Sequence, residues 1–265
     1  MPRVLMIDDD QQVSAVLAMA LEALGHDVTI SNVTEKAEEL CKEVKPDLIL
    51  LDMMMPGRSG IELLKPLTQI SPDAVICMMT GLVDDKLLAK SLEAGAWNIL
   101  YKPYSLAELS ELVKLSELLS HAIRNEKNGD EMTESPLELS WTGDQQFTAD
   151  DIAKLVSFAA AAGANSDLAN RRLPVVAAEL LINAQTHGIA RQADQRYGLI
   201  CSKNDASLAL DVSDSGKPFN WQIAARDFRF SAAGGSAPGL QLVRALADSL
   251  SFSEKNKTVH AVFIL

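Results

Sequence analysis

The sequence predicts two successive folds: a doubly wound α/β unit with a parallel sheet covered on both faces, then a two-layer α+β sandwich. Three observations carry this. Up to about residue 122, short apolar runs alternate strictly with stretches of helical spacing, the order that builds a parallel sheet between layers of helices. Four of those runs end on side chains able to do chemistry: Val4 to Ile7 on Asp8, Asp9 and Asp10, Leu48 to Leu51 on Asp52, Ala74 to Met79 on Thr80, and Trp97 to Tyr101 on Lys102. Beyond residue 136 the order changes to paired strands and grouped helices, the pattern of an α+β layer arrangement.

Taken in order, Val4 to Ile7 is the first strand. Val13 to Leu24 then carries apolar residues at helical spacing and stops at Gly25. His26 to Ile30 is the second strand and Thr34 to Val44 the second helix. Leu48 to Leu51, bounded by Pro46-Asp47 before and Met-Met-Met-Pro-Gly after, reads as a strand buried on both faces. Ile61 to Ile70, Ala74 to Met79, Asp84 to Ala94 and Trp97 to Tyr101 continue the alternation. Ser105 caps a final helix whose apolar residues Leu106, Leu109, Leu112, Leu115, Leu119 and Ile123 run past the length needed to cover the sheet. Such a helix can serve as a stalk or homodimer seam, with plain core coverage the equal alternative. The charged, Gly- and Pro-containing stretch 123–136 is the expected linker, separating a unit at 1–122 from one at 137–265.

The length of 265 residues suits two domains, and 48% hydrophobic against 23% charged residues suits two soluble cores. The net charge of −12 divides into −8 before Asn128 and −4 after it. Neither half has the basic footprint that nucleic-acid phosphates select, which argues against DNA as a partner, and acidity also disfavours an anionic membrane surface. Cys41, Cys77 and Cys201 stand far apart without zinc spacing, so free buried thiols are expected. No charged-then-apolar leader and no apolar run near 18 residues is visible, so a cytoplasmic protein is expected.

In an open parallel sheet the ligand site lies outside the carboxyl ends of the strands. If the four runs are neighbours, Asp8, Asp9, Asp52, Thr80 and Lys102 meet at one edge. Two carboxylates 4 Å apart repel by roughly 4 kcal/mol at an effective dielectric of about 20, so Asp8, Asp9 and Asp52 favour a small divalent cation, and Mg²⁺ fits a site with few carboxylates. The motifs IDDD at Asp8, LLDMMMPG at Asp52, MTG at Thr80, AGA before Trp97 and YKP at Lys102 resemble the receiver domain of two-component response regulators. That resemblance implies a flavodoxin-like (βα)5 sheet and a phosphoryl group passed to Asp52 from a histidine kinase or phosphotransfer protein. It also implies Mg²⁺ on Asp8, Asp9, Asp52 and the Met54 main-chain carbonyl, with Thr80 and Lys102 on the phosphoryl oxygens. One departure is Ile99, where receivers usually carry an aromatic residue. LLSHAIRN around His121 resembles the phosphoacceptor box of histidine kinases, but the second helix of that hairpin has no room before the next domain.

In the second half, Leu137 to Trp141 reads as a strand, Thr148 to Ala162 as a capped helix, and Asn170 to His187 as one longer helix. Arg196 to Ser202 and Ser207 to Ser213 form a hairpin. A stretch from Asn220 to Pro238 precedes a helix at Leu240 to Leu250. Leu250 to Ser253 and Thr258 to Leu265 pair around the turn 254–257. ELLINAQTHG places Glu179, Asn183 and His187 four apart, hence on one helix face; DVSDSGKPFN sets Asp214 before Gly216; GGSAPGLQLV leads glycines into a helix amino terminus.

These segments resemble the N, G1 and G2 boxes of the GHKL ATPase superfamily, a Bergerat-type sandwich, and Glu at the head of the first box with Pro-Phe in the second resembles its RsbW-like anti-sigma-factor serine kinase branch. The resemblance implies Asn183 on Mg²⁺ and the ATP phosphates, Asp214 accepting from the adenine amino group, Gly216 admitting the ring and Gly239 receiving phosphate. It makes Glu179 the general base toward a serine hydroxyl. Departures are Ala237, Pro238 and Pro218. The implied protein is a response regulator whose output is an ATP-dependent serine/threonine protein kinase acting in partner switching on an anti-sigma-factor antagonist or a sigma factor. Two alternatives stand beside it: a degenerate second domain that sequesters a protein without phosphoryl transfer, and a phosphotransfer protein using His121.

Overall fold

The computed structural model describes residues 2–82, 84–125, 135–216, 238–253 and 257–265. Pro218, Ala237, most of the linker, nearly all of the stretch from Asn220 to Pro238 and most of the turn 254–257 lie outside the described residues. The backbone divides into two compact units, Met1–Ser120 and His121–Leu265.

The first unit is built from β1 (Arg3–Ile7), α1 (Gln11–Ala23), β2 (Asp27–Ser31), α2 (Ala37–Val44), β3 (Leu48–Asp52), α3 (Gly60–Ile70), β4 (Val75–Thr80), α4 (Asp85–Glu93), β5 (Asn98–Tyr101) and α5 (Leu106–Asn125). Its sheet runs β2-β1-β3-β4-β5 and every pairing is parallel, so the predicted flavodoxin-like doubly wound fold is present. Every residue of β3 and β4 is buried, as expected of strands covered on both faces. Helix ends follow their chemistry. Asp10 accepts from the N–H groups of Gln12 and Val13 and so caps α1, while Ser59 with Glu62 and Ser105 with Glu108 form reciprocal caps on α3 and α5.

Pro66 lies inside α3 and has no N–H to offer the carbonyl of Glu62 four residues back. Arg58 supplies the missing donor, its Nη2 standing 3.1 Å from that oxygen, and its Nη1 pairs with Glu38 at 2.6 Å. The loop after β3 is thereby tied to two helices. α5 buries Leu109, Leu112, Leu119, Ala122 and Ile123 along its length, while Leu106 is exposed.

The second unit contains β6 (Leu137–Thr142), α6 (Ala149–Ala161), α7 (Leu173–Asn183), β7 (Arg196–Asn204), β8 (Ser207–Asp214), α8 (Pro238–Leu246), β9 (Ser249–Ser253) and β10 (Thr258–Ile264). Its sheet is antiparallel in the order β6-β7-β8-β10-β9, the second layer arrangement expected from the sequence. Burial alternates along β7 and β10, so one face carries the core through Tyr197, Leu199, Cys201, Val259, Ala261 and Phe263. Arg172 braces this core: its guanidinium lies over the Phe263 ring, Nε donates to the Leu246 carbonyl at the end of α8, and Nη2 meets Asp248 at 3.1 Å.

One expectation needs correcting. Asn170 to His187 is not a single α-helix: α7 is flanked by π-helical turns at Leu168–Arg172 and Ala184–Gly188. The wider i→i+5 winding breaks the four-residue spacing after Asn183, so Glu179 and Asn183 keep a common face while His187 leaves it. The helix is buried nearly all round, from Leu173 through Ala178 and again at Leu180 and Leu181, so no amphipathic period marks where the winding changes. The three cysteines are buried thiols, as their settings imply.

Candidate functional site

Parallel register brings the first site together. Ile7 pairs with Leu51, Asp52 with Met79 and Thr80 with Tyr101, so the four strand ends lie abreast and the residues that follow them share one rim. One ligand atom each from Asp8, Asp9 and Asp52 lies within 4.8 Å of the others. Asp8 and Asp52 are buried and Asp9 is exposed. Asp10, the third acid of the run, is turned to capping α1.

Lys102 Nζ stands 2.7 Å from Asp8 Oδ2 and 2.8 Å from Asp52 Oδ1, one ammonium between two buried carboxylates. Burial pushes the Asp52 carboxyl above its ordinary value, the Lys102 ammonium opposes this, and Asp8 adds to it. Burial pulls Lys102 down, yet hydrogen bonds to Asp52 and Asp8 outweigh it and leave the ammonium above its ordinary value. The second oxygen of Asp52 accepts from Met54 N–H at 3.3 Å, and Thr80 Oγ accepts from Leu82 N–H at 3.0 Å. Met54 itself is exposed. Ile99 is buried in β5.

Three supporting residues were not singled out from the sequence. Asn32 Nδ2 donates to the Asp8 carbonyl at 2.8 Å and Ser14 Oγ lies 3.3 Å from the same oxygen, fixing the turn that carries the acids. Gly60 packs so tightly on the Asp52 carbonyl that a Cβ there would lie 2.1 Å from the oxygen. Its place at the start of a capped helix was a visible signal, since Ser-Gly before an apolar run followed by Glu marks an amino terminus.

The second cluster lies along α7 and the π-turn that follows it. The Asp214 carboxylate is half-buried, and Oδ1 accepts from Gly216 N–H at 2.8 Å. Burial raises its pKa, while the Gly216 N–H and the Lys257 ammonium lower it. Gly188 closes over this carboxylate, for a Cβ there would fall 2.5 to 2.8 Å from its atoms, and a Cβ on Gly216 would meet the Gly188 carbonyl at 1.8 Å. Gly239, at the start of α8, lies against Glu179: a Cβ on it would be 2.1 Å from Oε2. Between these ends, Asn183 Nδ2 is buried and has no hydrogen-bond partner among the described residues.

The structure thus brings Asp8, Asp9, Asp52 and Lys102 together, and sets Glu179 with Gly239 at one end of a line whose other end is Asp214 with Gly216. His121 is exposed on α5. Among the described residues, no helix is long and apolar enough to cross a membrane.

Residues 4–114 match the family model of the response regulator receiver domain, and residues 146–263 match that of the histidine kinase-like ATPase domain. Residues 4–114 are thus a response regulator receiver domain and residues 146–263 a histidine-kinase-like ATPase domain. Among curated proteins it is similar to the phosphate regulon transcriptional regulatory protein PhoB of Pseudomonas aeruginosa, 34% identical over 51% of this chain and 57% of the relative. It is also similar to the transcriptional regulatory protein PrrA of Mycobacterium leprae, 37% identical over 43% of this chain and 48% of the relative. The chain spans about half the length of these relatives. A receiver domain protein of Methanospirillum hungatei is a similar solved structure at 27% identity, with a TM-score of 0.44 over 49% of this chain and 99% of that one.

Proposed function

We propose that this protein is a cytoplasmic response regulator that takes a phosphoryl group on Asp52 from a histidine kinase or phosphotransfer protein. The observation that carries this reading is the meeting of Asp8, Asp9 and Asp52 within 4.8 Å beside the Lys102 ammonium. A site that crowds buried anions around one cation fits a second, divalent cation, since carboxylates this close repel one another unless neutralised. Asp8, Asp9, Asp52 and the Met54 carbonyl would hold Mg²⁺, which supplies charge neutralisation for the incoming phosphoryl oxygens. A carboxylate oxygen of Asp52 attacks phosphorus, the bond from phosphorus to the donor's histidine nitrogen breaks, and the acyl phosphate forms. Lys102 opposes protonation of Asp52 before transfer and then faces a phosphoryl oxygen; the Thr80 hydroxyl, which accepts from Leu82 N–H, donates its O–H to another. Binding of beryllofluoride with Mg²⁺, followed by fluorine NMR, tests this assignment: a bound signal lost in Asp52→Asn is expected, and a signal that survives the substitution contradicts it.

The second domain binds ATP in this reading. Asp214 accepts from the adenine amino group, Gly216 leaves room for the ring, Asn183 would hold Mg²⁺ through Oδ1 and donate its Nδ2 to phosphate, and Gly239 opens the first turn of α8 to phosphate. Glu179 then acts as base toward a serine or threonine hydroxyl of an anti-sigma-factor antagonist. Phosphorylation of Asp52 adds charge at the rim and biases the output through α5. Labelled ATP incubated with such an antagonist tests the kinase step, and transfer that persists in Glu179→Ala counts against the assigned base.

A second reading, a module that sequesters an antagonist or a sigma factor without phosphoryl transfer, is favoured by the Glu179 carboxylate resting on Gly239, the place assigned to phosphate. Calorimetry separates the two, because the sequestering module gives no ATP heat that Asn183→Ala removes. Phosphotransfer through the exposed His121 predicts instead an acid-labile label on that residue.

A further inference from the structure

The connection between β9 and β10 ends in Lys257, a residue that the sequence offers only as part of a hairpin turn. Its backbone has φ 50°, the left-handed region that a side chain with a Cβ enters at a cost. Its ammonium reaches across to the turn after β8, donating to the Gly216 carbonyl and lying 3.4 Å from that of Ser215. The N–H of the same Gly216 donates to Asp214 Oδ1. A single cation from one hairpin therefore grips both carbonyls of the turn whose amide orients the Asp214 carboxylate. Its charge also opposes the burial that favours protonated Asp214.

We propose that Lys257 is a positioning residue for nucleobase recognition: by holding the Ser215 and Gly216 carbonyls it fixes the turn so that Asp214 presents its other oxygen to an exocyclic amino group. This rests on the reading of Asp214 as the adenine acceptor. Three donors on one flexible stem can serve two carbonyls at once, a task no neutral turn residue performs equally.

The test uses the full chain with Mg²⁺ and compares ATP with ITP, which has a carbonyl where ATP has the amino group. Wild type should prefer ATP. Lys257→Met should weaken ATP about tenfold, the loss expected when a charge-assisted hydrogen bond is removed, while leaving ITP unchanged. Lys257→Arg should restore most of the preference, and Lys257→Gln, with a donor but no charge, should fall between. Thermal melts of each variant accompany the titrations, and should Lys257→Met fail to fold, the comparison of Gln with Arg decides. Equal weakening of both nucleotides, or of neither, overturns the positioning role while leaving the nucleotide site intact. A wild-type protein that binds ATP no better than ITP removes the role of Asp214 and this proposal with it.

Discussion

Lys102 stands 2.8 Å from Asp52 on a strand end two positions across the sheet. The same ammonium reaches Asp8 at 2.7 Å, so two buried carboxylates depend on one cation. Removing it by Lys102→Met leaves both uncompensated, and breaking such a pair should cost about 3 kcal/mol, the lower end of the usual range because the lysine is partly exposed. Urea unfolding without Mg²⁺ checks this, and added Mg²⁺ should stabilise the variant more than the wild type.

Asp52 should make the protein more stable as the pH falls. Its folded-state pKa is raised above the ordinary carboxylate value, so the folded chain binds that proton more tightly than the unfolded chain. The ionised carboxylate costs stability at neutral pH, and the cost disappears as pH falls through the raised pKa. Asp52→Asn should therefore be the more stable protein at neutral pH without Mg²⁺. The gap should close on acidification, read as the difference between two series of urea midpoints. A variant less stable than wild type at neutral pH contradicts the sign.

The three consecutive acids should separate cleanly by role. Mg²⁺ at a hundredfold excess over its Kd should stabilise the wild type by about 2.7 kcal/mol. Asp8→Asn should abolish that response. Asp10→Ala should keep it while losing about 1 kcal/mol of stability with and without the ion, because Asp10 caps α1.

Gly60→Ala puts a Cβ 2.1 Å from the Asp52 carbonyl, and backbone rather than a flexible side chain must yield. About 1–3 kcal/mol of stability should be lost, with slower phosphorylation of Asp52, measured by urea unfolding and by a phosphorylation time course.

Asn183→Ala should leave stability unchanged or slightly raised, because the buried Nδ2 it removes has no partner among the described residues to lose. ATP binding should vanish in the same variant. A large drop in melting temperature would show that Asn183 holds the fold rather than a ligand.

Much of the receiver half was legible because parallel strands are buried on both faces, so apolar runs and the polar residues that end them stand out in one dimension. Asp8, Asp52, Thr80 and Lys102 could be placed at one rim from strand ends alone. The division of labour within Asp8-Asp9-Asp10 could not, since capping depends on which carboxylate turns toward the N–H groups of Gln12 and Val13. In the second half, the alternation of β7 and β10 and the cap at Thr148 were readable. The π-turns around α7 were not, because a helix buried on all sides shows no period to lose. Arg58 serving the carbonyl left bare by Pro66 and Lys257 serving the turn after Asp214 are long-range pairings that no local pattern encodes.

The most direct test is the covalent state of Asp52 itself. With Mg²⁺ and a small phosphodonor, intact mass and peptide mapping should show a single phosphoryl group on Asp52, absent from Asp52→Asn and from reactions stripped of the cation. A phosphoryl group found elsewhere, or a wild-type protein that stays unmodified when supplied with donor and Mg²⁺, would contradict the account.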